Sequence, residues 1–215
     1  MKTALLVVGG SGALAGLYVS YRKQRTDELN HVRDQDKLFT ERYTAAAAQL
    51  GNGAAAVRLG GVYALARIAD DSVRDRPTCP EVSCAYLRMP YDPADFTTEP
   101  AERQVRMTAQ TAIAARLRPE HPGFWTGAQI DVTGAYLIEA QSDRITADRF
   151  DATRATFSGY ALFDGATFSG DARFSEATFS RAYPPTWPAG FAEPAGIVWV
   201  PADLPAPAPD PPEGV

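Results

Sequence analysis

Histidine and cysteine are nearly missing from this chain, with two of each in 215 residues. His31 and His121 are distant from one another and from Cys79 and Cys84, so the sequence places no nucleophile beside a base. Surplus positive charge is missing too. Lysine and arginine number 21 against 26 acidic residues, a net of -5 with a pI near 5.1. That excludes general affinity for nucleic acid or anionic lipid through bulk charge, and no direct nucleic-acid binding is expected. With 45 % apolar residues the chain has material for a core in one or two domains.

Cys79 and Cys84 are five positions apart. On one helix their Cα atoms would stand roughly 8 to 9 Å apart, from the rise and radius of the helix, beyond the ~7 Å limit for a disulfide. Both are expected as reduced, buried packing residues in a cytosolic setting.

Charge is also absent from Thr3 to Tyr21, "TALLVVGGSGALAGLYVSY", which then meets "RKQR". A helix of that length spans about 28 Å, close to the hydrocarbon thickness of a bilayer. Arg22, Lys23 and Arg25 outnumber Lys2 and the amino terminus, which predicts a single pass over 3–21 with the rest of the chain in the cytoplasm. The rival is a cleaved signal peptide using Ala13-Leu14-Ala15. The apolar run continues past that site through Leu17, Tyr18 and Val19, which favours the anchor. Gly12 and Gly16 stand in GxxxG spacing, compatible with a homodimer, although so glycine-rich a run produces that spacing by chance as well.

Apolar or small residues at Leu29, Val32, Phe39, Tyr43, Ala46 and Leu50 predict an amphipathic helix over 26–50, stopped by "GNG" at 51–53. A second helix is predicted over 54–71, with Val57, Gly61, Leu65 and Ile68 on one side, antiparallel to the first. Gly60 and Gly61 cost about 1 kcal/mol each in helix propensity, which predicts a close backbone neighbour. "TCPEVSCAYLRM", 78–89, opens with Thr78 and Glu81 in capping-box spacing. "AERQVRMTAQTAIAARL" gives a fourth helix, with Val105, Ala109, Ile113 and Arg116 in step, ended by Pro119 and Pro122. Asp70, Asp71 and Asp75 have no partnering histidine and read as a solvated loop rather than a metal site. No catalytic, cofactor-binding or metal-ligating set is expected.

What the sequence has in quantity is a repeat. "ATFSG" from Ala155, "ALFDG" from Ala161, "ATFSG" from Ala166, "ARFSE" from Ala172 and "ATFSR" from Ala177 place Phe157, Phe163, Phe168, Phe174 and Phe179 in steps of six, five, six and five. Ile130, Leu137, Ile145 and Phe150 are looser upstream members. Self-similarity at a fixed period signals a solenoid. Five residues per unit suit a square coil, with phenylalanine on the axis, alanine two places earlier in the narrow interior, and corners at Gly159, Gly165 and Gly170. Over 126–182 this predicts fewer than three coils, with irregular corners at Tyr160 and Asp171.

These units resemble pentapeptide repeats. "ERYTAAAAQLG", "VRLGGVYALARIADDS", "CAYLRMPYDP" and "FWTGAQIDVTGAYLIEA" resemble the segments that precede the repeats in bacterial membrane-associated pentapeptide-repeat proteins. The resemblance implies an α+β chain: a transmembrane helix, a helical module over 26–118, and a right-handed quadrilateral β-helix over 126–182. From Tyr183 onward ten of the seventeen prolines gather, and "GIVWVP" at 196–201 is expected to cover the open end of the coil, with Trp187 and Trp199 capping rather than binding a partner. The far end of the tail is expected to be extended and disordered.

The sequence therefore predicts a non-enzymatic, membrane-tethered interaction or scaffold protein. Its expected partners are the lipid bilayer through 3–21 and an unidentified protein. The residues that carry the solenoid are Ala155, Phe157, Phe163, Ala166, Phe168, Ala172, Phe174, Ala177 and Phe179. One alternative implied by the resemblance is a DNA-mimicking modulator of a topoisomerase-like enzyme, weakened by a net of only -3 over 126–181, from eight acidic residues and five arginines. Another is a small-molecule or redox sensor in the helical module, using Cys84, Tyr63 or Tyr86.

Overall fold

The structure, a computed structural model, describes residues 20–25, 33–74, 76–93 and 100–201. The chain divides into two compact units, Met1–Thr44 and Ala45–Val215. Residues 20–25 are helical, as is α1 over 33–50. The predicted start of α1 at 26–32 and the end of the tail at 202–215 lie outside the described residues. Among the described residues no helix is long and apolar enough to cross a membrane. The anchor expected over 3–21 lies outside them apart from residues 20 and 21.

Three further helices follow: α2 (Ala55–Asp71), α3 (Thr78–Leu87) and α4 (Pro100–Arg116). Their apolar stripes meet in a core of Val62, Leu65, Ile68, Leu87, Val105, Ala109 and Ile113, all buried. Only one of the paired glycines in α2 is a close-packing device. A Cβ on Gly61 would stand 2.6 Å from Leu50 N and 2.9 Å from Ala46 O, whereas the nearest atom to one on Gly60 is Gln49 Oε1 at 3.7 Å. Val57, placed by periodicity on the buried side, is 38 % exposed.

Two local expectations are corrected. Thr78 does not cap α3: the N-cap is Pro77, itself in helical geometry and without a side-chain cap bond. Proline fixes φ near the helical value, so the helix begins a residue earlier than the capping box requires. Asp70 is not a solvated acid. Both its oxygens accept from Arg116, with Nη2 at 2.7 Å and Nε at 2.8 Å, tying the end of α2 to the end of α4. Asp75 lies outside the described residues, and among those described no group of three potential ligands could hold a metal ion.

After α4 the chain winds into parallel coils. Coil 1 contains β1 (Gln129–Asp131), β2 (Tyr136–Gln141) and β3 (Thr146–Ala147). Coil 2 contains β4 (Arg149–Asp151), β5 (Thr156–Leu162) and β6 (Thr167–Phe168), and coil 3 contains β7 (Ala172–Arg173) and β8 (Thr178–Ser180). Strand β9 (Val198–Val200) adds a fourth rung to one side, in the order β2-β5-β8-β9. The expected count of under three coils is therefore exceeded, because the stretch beyond residue 182 returns to the ladder with tryptophan in place of phenylalanine.

Backbone geometry explains the square section. β2 turns at Glu139 (φ 48°) and β5 at the facing Gly159 (φ 78°), so each supplies two sides. Another corner is a column of tight turns in which Ala135, Ala155 and Ala177 donate to Val132, Ala152 and Phe174. Each has its third residue, Gly134, Arg154 or Glu176, at positive φ, the pattern of a type II turn. Gly170 serves differently: a Cβ there would stand 2.6 Å from Asp148 O, so it is needed for close approach.

The six-residue steps of the repeat are where the register slips. Ile138 pairs with Ser158 but Ala140 with Ala161, so Glu139 alone faces Gly159 and Tyr160. Between Ala147↔Phe168 and Phe150↔Ala172 a second extra residue enters over 169–171.

Inside, Phe157 stacks on Phe179 with centroids 4.6 Å apart, and Phe163 on Trp187 at 5.3 Å. Phe174 closes against Phe163 edge-on at 5.4 Å. Burying each such ring stabilises the coil by roughly 1.5–3 kcal/mol.

Candidate functional site: the capped solenoid and its flanks

A β-coil has open strand edges at both ends, and unmet backbone groups there invite strand addition. The two ends of this coil are closed by different chemistry. At the first coil the cap is made by polar side chains of the helices. Ile138 N–H donates to Gln110 Oε1 (3.0 Å) while Gln110 Nε2 reaches Ile138 O (3.4 Å), so one side-chain amide on α4 bonds both polar groups of the residue as a neighbouring strand would. Arg88, just past α3, donates to Asp131 O (2.7 Å) and pairs with its carboxylate (2.8 Å). Arg118 donates to Asp143 O and Gln141 O and holds the Asp143 carboxylate at 2.8 Å. Thr146 N–H donates to Leu117 O (2.7 Å), a carbonyl left over at the end of α4. Arg103 on α4 meets Glu139 at the β2 corner (3.0 Å), whose other oxygen accepts from Tyr160.

The far end is closed by rings and prolines. Trp187 lies on Phe163 and packs edge-on against Phe174 and Phe179, Phe191 covers Phe168 at 5.9 Å, and Trp199 tilts against Phe179 at 6.3 Å. In β9, Val198 donates inward to Ala177 O and Val200 accepts from Arg181, which leaves residues 199 and 201 facing outward. Residue 201 is proline and has no N–H to offer.

Between the caps lie the flanks. One carries an uncharged row, Tyr136, Thr156, Thr178 and Val198, in register across four rungs. On the β1-β4-β7 side the charge of β4 and β7 is paired within the coil, while Asp131 on β1 is held by Arg88. The Asp151 carboxylate accepts from Thr153 Oγ1 (2.7 Å) and Arg149 (3.2 Å), with Arg173 at 3.8 Å, and Arg173 also holds Asp171 at 2.7 Å. Burial alone would raise the Asp151 pKa; the Thr153 hydroxyl and N–H and the Arg149 guanidinium outweigh it and hold the group below the usual carboxylate range.

Of the nine residues expected to carry the solenoid, Ala155, Phe157, Phe163, Ala166, Phe174, Ala177 and Phe179 are buried, while Phe168 and Ala172 are half-buried near the far end of the coil. The helical residues singled out for sensing are not brought together. Tyr63 is 62 % exposed on α2, while Cys84 is buried in α3. Both cysteines are free thiols, and burial pushes the Cys84 pKa up to about 12 despite the Asp131 N–H and Arg88 beside it, which suppresses the thiolate. Tyr86 donates to both oxygens of Glu102, and burial together with that carboxylate raises its pKa. Glu102 also holds Arg106 (2.8 Å) and Arg58 (3.1 Å), making a buried polar knot that joins α2, α3 and α4.

Gln110, Arg88 and Arg118 were not singled out by sequence. Gln110 lies on α4, Arg88 just past α3 and Arg118 just past α4, and only the fold shows that the strand edges lie opposite them.

No curated protein and no solved structure matches the chain. Residues 152–183 match the family described as pentapeptide repeats (9 copies), and it is to these repeats that the solenoid of this chain is similar.

Proposed function

We propose that this chain is a membrane-anchored, non-enzymatic scaffold whose solenoid flanks bind a protein partner on the cytoplasmic side. The observation that supports it best is the closure of both coil ends around an interior filled with apolar side chains. That leaves the regular outer rows as the surface available for contact. Anchoring rests on the uncharged run from Thr3 to Tyr21 and the cations that follow it. Proximity labelling with the full-length chain in membranes, beside a version beginning at Arg22 and a Thr156→Arg/Thr178→Arg version, tests both halves. Loss of membrane retention in the shortened chain and a changed set of labelled proteins in the flank variant are expected. Retention without residues 1–21 would refute the anchor, and an unchanged set of neighbours would refute the flank.

A further inference from the structure

We draw no further inference here: the strongest candidate, the cavity of about 470 Å3 between the 51–53 loop, the Met89–Asp92 turn and the first turns of α4, carries nothing because the Arg58 and Arg106 guanidinium groups lining it are committed to Glu102 and to backbone carbonyls, and no group in it points to a ligand.

Discussion

Gln110 bonds both the N–H and the C=O of Ile138, at 3.0 and 3.4 Å, and so stands where a strand preceding coil 1 would stand. Ile138 is 5 % exposed, so water is a poor substitute. Gln110→Leu keeps the bulk and removes both bonds. It is expected to cost about 1–3 kcal/mol for each group left unmet, lowering the melting temperature by roughly 2–4 °C per kcal/mol in a chain of this size. Hydrogen exchange should quicken at the Ile138 amide. Gln104→Leu, at an exposed site on the same helix, should shift stability by under about 0.5 kcal/mol. Equal melting of the two variants would show that the amide is not the cap.

The adjacent glycines of α2 should answer alanine in opposite directions. Gly60 has room, so Gly60→Ala gains up to about 1 kcal/mol of helix propensity. Gly61→Ala drives a methyl to 2.6 Å from Leu50 N and must part the helices, so it destabilises. Urea midpoints of the two variants read the sign directly.

Along the corner column, Arg154 and Glu176 hold φ at 58°, which costs an L-residue roughly 1–2 kcal/mol. Arg154→Gly should therefore stabilise the coil by about 0.5–1 kcal/mol after the added freedom of the unfolded chain is allowed for. Gly134→Ala, in open space but at φ 67°, should destabilise it by about 1–2 kcal/mol. Thermal melts of both variants test the column; the same sign for both would contradict it.

The ring column is uneven. Phe163 is fully buried, and its truncation to alanine should cost about 3–5 kcal/mol. Phe168 is half-buried, so Phe168→Ala should cost markedly less. A denaturant series that ranked Phe168 above Phe163 would place the axis elsewhere.

Asp151 gives the coil an acid limb. Its pKa is lower folded than unfolded, so its contribution is present above the unfolded value and is lost as pH falls through the folded one. The gap in urea midpoint between the natural chain and Asp151→Asn should be widest near neutrality and close below about pH 4. A gap that did not change with pH would assign the effect to packing.

The solenoid was legible because its cause is local: an alanine and a ring must recur on each side, and the same five-letter unit records it. The six-residue steps were legible for the same reason, since each extra residue shows as a slip at Gly159–Tyr160 or near Asp171. The fourth rung was missed because Trp199 fills the ring's place without the repeat's neighbours. Asp70 was misread because its partner, Arg116, is 46 residues away, and Thr78 because Pro77 adopts helical geometry. The end cap of Gln110, Arg88 and Arg118 is spelled in residues that decorate any helix surface. Their meaning depends on which backbone the fold sets opposite them.

Pro201, at the outward position after Trp199, has a consequence for crowded solution. A second copy arriving at that end meets a position with no donor, and the helices bar the way at the other. Pro201 leaves Trp199 as the outward-facing donor of that rung, which disfavours strand addition there, and raising the protein concentration is expected to yield no fibres that bind thioflavin.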